Sequence, residues 1–347
     1  MPSSTTGVFR EQDDFKAALR EDGCVNLLVT DQGSFRARFS RITLHQLRLV
    51  TAEEFQARFH TVPPDMTLVS VAFGHDPSLI WGGTGAGADE IVTLGAGHRA
   101  HVRSVARSHW GTIVVPTRLL ASNSAMLTDR AVAVPGGVSR WRPSARSCRH
   151  LTRLHSRATR VANVRPDVIT TFEAARALEQ ELIEAVSACL SEAPLAVSND
   201  TYGRHADIIG RFEDLLQAHR DRAFTSAELC AALDVAGRTL RTCCDDHRGM
   251  GPNRYVRLRR MHSIRRALRT ADPAPARVSV LADQYGFGEA GRVAGVYRAW
   301  FGEFPLGHAA ARCRCALKFR AKGSTITTSG RTPGRTSLAT PYRLFYR

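Results

Sequence analysis

Short apolar runs alternate with polar clusters from about Cys24 to Pro143. The runs VNLLV, SFRARF, TLVSVAFG, EIVTL and GTIVV are separated by Gly, Pro, Asp and Ser, a pattern typical of strands joined by turns. In SFRARF apolar and basic residues alternate strictly, which gives such a strand one apolar and one polar face. The pattern predicts an antiparallel sandwich or barrel with one face exposed to water.

Apolar residues recur at three- and four-residue steps after the basic segment WRPSARSCRH. One set comprises Phe172, Ala175, Leu178, Leu182, Val186 and Cys189. A second set comprises Ile208, Ile209, Phe212, Leu215 and Leu216. These steps are typical of amphipathic helices. We therefore expect residues 151–218 to form a helical connector that joins two domains or pairs two subunits.

The strand pattern disappears from about Ala223 to Arg312, where short helical segments are separated by Gly and Pro. Thr225 and Glu228 have the spacing of a capping box at the start of the first segment. Its predicted buried face comprises Leu229, Ala232 and Leu233. Because each segment has an apolar face within this span, we expect residues 223–312 to fold alone as a helical domain.

A second short helix follows the interruption DVAG. Leu240 and Cys244, four residues apart, are predicted to face inward, whereas Arg238, Arg241 and Thr242 face outward. Two short helices joined by a tight turn, with hydrogen-bond donors at the start of the second, form the arrangement that enters the major groove of DNA. Arginine suits this position because its planar guanidinium donates two hydrogen bonds to guanine.

A longer basic helix and a second such unit come next. The helix predicted from Pro252 to Arg269 would be about 27 Å long, close to the roughly 34 Å of one DNA turn once flanking groups are added. Beyond it, a short helix around Val280 to Tyr285, a Gly-Phe-Gly turn and another helix repeat the plan of the first unit. The last helix has its apolar face at Val293, Val296, Tyr297 and Trp300. The internal repetition favours a DNA-binding region with two reading units.

The positive charge is concentrated in the same part of the chain. The 347 residues carry a formal net charge of +16. From His219 onward there are 24 basic and 9 acidic residues, against 24 and 23 before it. A basic region attached to a nearly neutral one is typical of a polyanion-binding module on a separate sensor or catalytic body, although the charge alone suits a phospholipid surface equally well.

Other features of composition point to a cytoplasmic location. No apolar run approaches the roughly 18 residues that span a bilayer, and the first residues lack the basic-then-apolar order of a signal peptide. The 8 cysteines lack the spacing of a disulfide framework, so we expect reduced thiols and place Cys244 in a helical core. Cys313 and Cys315 have no second pair at zinc-site spacing.

Three segments carry a family resemblance: ELCAALDVAGRTLRTCC, GMGPNRYVRLRRM and QYGFGEAGRVAGVYRAWFGEFP. In this order and spacing they resemble the C-terminal DNA-binding domain of AraC/XylS-type regulators. The resemblance implies base contacts from Arg238, Arg241 and Thr242 in the first unit. The corresponding positions of the second unit are Ala290, Gly291, Arg292 and Gly295. Because only Arg292 among them has a side-chain donor, we expect the second unit to act mainly through phosphate contacts from Arg292 and Arg298.

The resemblance implies an α+β architecture in four parts. These are a mainly-β, cupin-like sensor barrel at 1–150, the helical connector at 151–218, an all-α domain with two helix-turn-helix units at 219–316, and a basic flexible tail at 317–347. The implied function is sequence-specific regulation of transcription. The expected partners are double-stranded promoter DNA, RNA polymerase, a small-molecule effector and a second copy of the chain. No cofactor, metal or membrane partner is expected.

Two other functions fit parts of the sequence. A metal-dependent cupin enzyme would use His98 and His101, with Asp89, Glu90 and His109 nearby, but this spacing matches no strong metal template and favours scattered surface histidines. An architectural DNA binder without a sensing role would use the basic region alone. It would bind different DNA sequences with similar affinity, whereas a regulator prefers its operator by a factor of about 10³ or more.

Overall fold

The structure is a computed structural model whose described residues exclude most of the C-terminal end. It describes residues 1–63, 68–73, 76, 78–87, 89–95, 97, 99–193, 195–197, 200–219, 222, 224–270, 280, 281, 283–285, 287 and 290–305. The tail expected at 317–347 and the Cys313–Cys315 pair lie outside these residues, as does His98.

Thirteen strands and ten helices have defined bounds within the described residues. The strands are β1 (Ser3–Phe9), β2 (Val25–Val29), β3 (Ala37–Thr43), β4 (Arg48–Glu54), β5 (Arg58–Val62), β6 (Leu68–Phe73), β7 (Leu79–Trp81), β8 (Thr84–Gly85), β9 (Ile91–Gly95), β10 (Ala100–Ser104), β11 (Ser108–Pro116), β12 (Gly137–Trp141) and β13 (Leu195–Val197). The helices are α1 (Gln12–Arg20), α2 (Thr117–Thr128), α3 (Ala145–Val164), α4 (Pro166–Ile169), α5 (Phe172–Glu192), α6 (Asp200–Ala218), α7 (Ser226–Leu233), α8 (Gly237–Arg248), α9 (Pro252–Thr270) and α10 (Ala290–Phe301).

The strands form two antiparallel sheets. The large sheet has the order β1-β3-β4-β11-β6-β9-β12-β13, and the small sheet has the order β2-β5-β10-β7-β8. One buried cluster contains Phe39 and Trp110 of the large sheet together with Leu27 and Val102 of the small sheet, so the two sheets enclose a common core. The predicted β-rich N-terminal domain and the α+β fold class are confirmed.

The alternation of side chains along the strands places one hydrophobic core on each face of the large sheet. Val71 and Ile113 belong to a second cluster, which includes Leu151 of α3 and Leu182 of α5. Consecutive residues of a strand point to opposite faces, so these strands are covered by the small sheet on one side and by helices on the other. The face that was expected to be exposed to water is therefore covered, because the helices after Pro143 pack on it.

The helices between 151 and 218 divide between the two ends of the molecule. α3 and α5 pack on the large sheet, where Gly111 of β11 makes room for His155: a Cβ at Gly111 would lie 2.7 Å from the His155 Cε1 atom. In contrast, Ile209, Phe212 and Leu216 of α6 are buried with α7, α8 and α9. α6 is thus part of the C-terminal core.

The described part of the C-terminal region is helical, as predicted. Thr225 caps α7, and the Thr225 and Glu228 side chains complete the expected capping box. Leu229 and Leu233 are buried, but Ala232 is exposed, so the predicted buried face was wrong at this position. The reason is that α7 is covered on one narrow side only.

The C-terminal helices also pack on the outer face of the small sheet. Leu28 and Phe59 of that sheet are buried in the same cluster as Phe212 and Tyr255, and the Phe59 and Tyr255 rings lie 5.2 Å apart. A hydrogen bond crosses this junction from His262 Nε2 to the Val29 carbonyl oxygen at 2.9 Å. The junction is therefore a packed interface between the β-domain and the helical region.

Candidate nucleic-acid interface

A tight turn joins the two helices of the first unit. Asp234 ends α7 in the left-handed region with φ 53°, and the Val235 amide donates to the Cys230 carbonyl oxygen at 3.1 Å. α8 then begins at Gly237. Leu240, Cys243 and Cys244 form the buried face of α8, which confirms Cys244 as a core residue and fixes which face of the helix is outside.

The three residues expected to read bases lie together on the outside of α8. Arg238, Arg241 and Thr242 are all exposed. The Arg241 side chain is 77% exposed, and its Nε atom is 4.0 Å from the Asp245 carboxylate, one turn later. An exposed pair at this distance constrains the arginine little, so the guanidinium is free to turn toward a groove.

The second unit is described in part. Residues 280, 281, 283 and 284 are helical, and the Tyr285 amide donates to the Leu281 carbonyl oxygen at 3.0 Å. α10 follows, with Val293 and Tyr297 buried against Met261 and Ile264 of α9. The predicted inner face of this helix is thus confirmed at its two most buried positions.

The expected contact residues of the second unit all lie on α10. Ala290, Gly291 and Arg292 form its first turn, for which the structure describes only the backbone. Gly295 and Arg298 are exposed. The Arg298 guanidinium carbon lies 4.6 Å from the centre of the Phe304 ring, so this side chain is held over an aromatic face.

α9 sets the spacing of the two units. Tyr255 and Leu258, in its first half, pack with the first unit, and Met261 and Ile264 pack with the second. A helix of 19 residues is about 28 Å long at roughly 1.5 Å per residue. One continuous helix therefore separates the two units by nearly a DNA turn.

The arginines of α9 fall into two groups that the sequence pattern did not distinguish. Arg254 and Arg257 are exposed and are suited to phosphate. Arg259 pairs with Glu213, and Arg265 and Arg269 pair with Glu11, each with a 3.0 Å N–O distance. The carboxylate partners lie 46 or more residues earlier in the chain, so helical periodicity gave no signal of these pairs.

The histidines proposed as metal ligands have other contacts. The expected surface position was wrong for His101, which is buried because the helical region covers it: its Nδ1 atom accepts a hydrogen bond from Arg248 Nη2 at 3.2 Å. Glu90 instead pairs with Arg142 at 2.8 Å, and His109 is exposed. Among the described residues, no group of three or more His, Cys, Asp or Glu side chains is arranged to hold a metal ion.

Among the helices that the structure describes, none is both long enough and apolar enough to cross a bilayer.

The helical region is similar to known DNA-binding and regulatory proteins. Residues 229–308 match the family model "Helix-turn-helix domain". A probable thc operon regulatory protein of Rhodococcus erythropolis is 35% identical over 92 residues, which cover 26% of this chain and 28% of that protein. XylDLEGF operon transcriptional activator 3 of Pseudomonas putida is 28% identical over 109 residues, which cover 31% of this chain and 33% of that protein.

Among solved structures, the AraC-like transcriptional activator CuxR is similar with a TM-score of 0.41 and 14% identity, over 75% of this chain and 94% of that chain. The chain spans about a third or less of the length of the two operon regulators that it matches. The segment that matches the family model, residues 229–308, contains α8, α9 and α10. Residues 229–308 of this chain therefore match a helix-turn-helix domain, and this part of the chain is similar to two operon regulators.

Proposed function

We propose that the chain is a sequence-specific transcriptional regulator that binds double-stranded promoter DNA through both helix-turn-helix units. The observation that carries the proposal is the placement of Arg238, Arg241 and Thr242 together on the exposed face of α8, within a matched helix-turn-helix segment. The first unit reads bases, and the second adds phosphate contacts from Arg292 and Arg298.

In this proposal the remaining parts of the chain have regulatory roles. The β-domain at 1–150 responds to a small-molecule effector, and its packing against α6, α8 and α9 supplies a route from that domain to the DNA-binding helices. The helices within 151–218 pair two copies of the chain, the domain at 219–316 engages DNA and RNA polymerase, and the basic tail at 317–347 adds phosphate attraction. The protein acts at the nucleoid in the cytoplasm.

Selection from randomised duplexes with the purified full chain tests this function. A regulator enriches one motif and binds it about 10³-fold or more tightly than random DNA. Similar affinity for all sequences would support the architectural binder instead. Metal analysis of the same preparation addresses the enzyme alternative, because about one bound equivalent of metal would favour a cupin-type catalyst.

A further inference from the structure

The part of the chain before His219 is nearly neutral as a whole, but it contains a segment with charge of one sign. Residues 130–166 include nine arginines and no aspartate or glutamate. Five of these arginines belong to α3, which has no lysine and no acidic residue. A sum over the whole N-terminal part averages this segment with acidic residues elsewhere, so the total charge gave no sign of it.

The five arginines of α3 lie on one face of the helix. They follow one another at steps of three, four, four and three residues, and we call them the α3 stripe: Arg146, Arg149, Arg153, Arg157 and Arg160. Such steps keep side chains on one side of a helix. All five are exposed, whereas Leu151 and Ala158 are buried against the large sheet. At roughly 1.5 Å per residue, the α3 stripe is about 21 Å long.

The α3 stripe has no acidic partner among the described residues. Arg142 and Arg165, which flank it in the sequence, each pair with a carboxylate, at 2.8 and 3.0 Å. The neighbouring α5 contributes Glu192 to a groove between the two helices, but Glu192 accepts a hydrogen bond from the Ser147 hydroxyl at 2.8 Å. In the part of the chain that the structure describes, no carboxylate is within ion-pair distance of an arginine of the stripe.

The α3 stripe and the helix-turn-helix units lie on opposite sides of the β-domain. α3 covers the outer face of the large sheet, whereas α8 and α9 pack on the outer face of the small sheet. Stacked sheets are about 10 Å apart, and a layer of helices adds to this distance on each side. The separation therefore exceeds the Debye length of about 10 Å at 0.1 M salt, so the stripe does not act on the phosphates that α8 meets.

The composition of the α3 stripe suits phosphate groups. A guanidinium donates two parallel hydrogen bonds to a phosphate. The exposed residues beside the arginines include His150 and Ser156, and the exposed Val164 lies at the very end of α3, so the stripe lacks the apolar centre typical of protein interfaces. The apolar face of α3 is buried on the large sheet, which leaves no apolar face to insert into a membrane.

We propose that the α3 stripe binds the phosphate backbone of a nucleic-acid duplex, as a surface separate from the helix-turn-helix units. Because its contacts are made to phosphates, this binding is independent of base sequence. A chain that also binds DNA through α8 and α10 thereby holds a second duplex segment on its other side. This last step rests on the proposed DNA-binding function, whereas duplex binding by the α3 stripe does not.

Protection of arginines from phenylglyoxal tests the proposal on the full chain. A random-sequence duplex of about 20 base pairs, long enough for both helix-turn-helix units, is added in excess, and mass spectrometry measures the modification rate of each arginine. We expect slower modification at Arg149, Arg153 and Arg157, and no change at the exposed Arg118 of α2. Slower modification of the exposed Arg254 of α9 reports binding on the helix-turn-helix side.

The two surfaces can then fail separately. Protection of Arg254 without protection of the α3 stripe would overturn the proposal. Protection of the α3 stripe without protection of Arg254 would support it and would contradict the helix-turn-helix function instead.

Two further measurements distinguish other partners. Poly-L-glutamate replaces the duplex at equal charge concentration, and protection of the α3 stripe by this polymer but not by the duplex would assign the stripe to an acidic protein. Protection that rises with protein concentration and does not respond to the duplex would show that a second copy covers the stripe. Either result would overturn the proposal.

The number of bound duplexes supplies a second readout. The double variant Arg153→Glu and Arg157→Glu leaves the α3 stripe with three arginines against two glutamates, and it is expected to bind one duplex fewer per chain than the native protein at low salt. Arg20→Glu and Arg118→Glu make the same charge change at exposed arginines outside the stripe, and this matched control is expected to keep the native number. Sedimentation of each protein with excess labelled duplex measures the count. The same count in all three proteins would contradict duplex binding by the α3 stripe.

Discussion

Arg248 and Glu213 form an ion pair in which both side chains are almost completely inaccessible, at 0% and 2% exposure, with an Nη2–Oε1 distance of 3.0 Å. Glu213 also accepts hydrogen bonds from Tyr255 and Arg259. Burial raises the pKa of the Glu213 carboxyl, but Arg248 and Arg259 outweigh this effect and hold the pKa below its ordinary value. The same Arg248 nitrogen donates to His101 in the small sheet, so the pair lies at the junction between the two parts.

Glu213→Gln is expected to lower the free energy of unfolding by about 3–5 kcal/mol, because it leaves two arginines near the junction without their carboxylate. Urea denaturation followed by circular dichroism measures this loss. Asp167→Asn is the matched control, since it removes one carboxylate from an exposed Arg165–Asp167 pair. A loss no larger than that of the control would show that Arg248 has another partner.

The second prediction concerns which residues the helical region needs in order to fold on its own. The span 223–312 excludes α6, although α6 contributes Ile209, Phe212 and Leu216 to the core as well as the Glu213 carboxylate. We therefore expect a fragment of residues 200–312 to be more helical and to melt at a higher temperature than a fragment of residues 223–312. Circular dichroism of both fragments measures this difference. Equal stability would mean that α6 belongs functionally to the connector.

The sequence alone predicts the helices of the first unit but not the ion pairs between distant residues. Periodicity and capping located α7, α8 and α9, because each depends on residues three or four positions apart. The exposure of Arg238 and Arg241 followed from the same periodicity. By contrast, pairs such as Arg265–Glu11 join residues 254 positions apart, and no local pattern encodes them. For the same reason, the sequence did not predict that helices cover the large sheet. This depends on where α3 and α5 pack after the strands have paired.

Stability is also expected to depend on pH through the buried histidines. Burial lowers the pKa of His155 to about 4 and that of His247 to about 3, while the unfolded chain binds a proton near pH 6.5. The contribution of these histidines to stability is thus constant above about pH 6.5 and falls between about pH 6.5 and 4, by up to roughly 1.4 kcal/mol per pH unit for each histidine.

His155→Gln is expected to reduce that pH slope by about one proton, whatever its effect at pH 7.5. The exposed His150 lies on the same helix, and His150→Gln should leave the slope unchanged. Urea denaturation of both variants from pH 7.5 to 5 makes the comparison. An unchanged slope in His155→Gln would show that His155 takes up a proton in the folded state.

DNA affinity should weaken steeply with salt. From His219 to the C-terminus the chain has 24 basic and 9 acidic residues, and each arginine or lysine that meets a phosphate releases a counterion. The logarithm of affinity plotted against the logarithm of salt concentration is expected to have a slope steeper than about −2. A shallower slope would argue against multiple phosphate contacts.

The last prediction separates the roles of the two units. Arg241 is exposed on the outer face of α8, so Arg241→Ala should cost about 1–3 kcal/mol on the selected motif and relax preference at one or two base pairs. Arg298 lies two turns into α10, and its guanidinium packs on Phe304.

Because that position is beyond the groove-facing start of α10, Arg298→Ala should weaken binding to the motif and to random DNA alike and reduce the steepness of the salt slope by about one. One randomised-site assay at several salt concentrations measures both variants against the native chain. If Arg241→Ala kept the native base preferences while Arg298→Ala changed them, the second unit would be the principal reader, since a phosphate contact carries no base information.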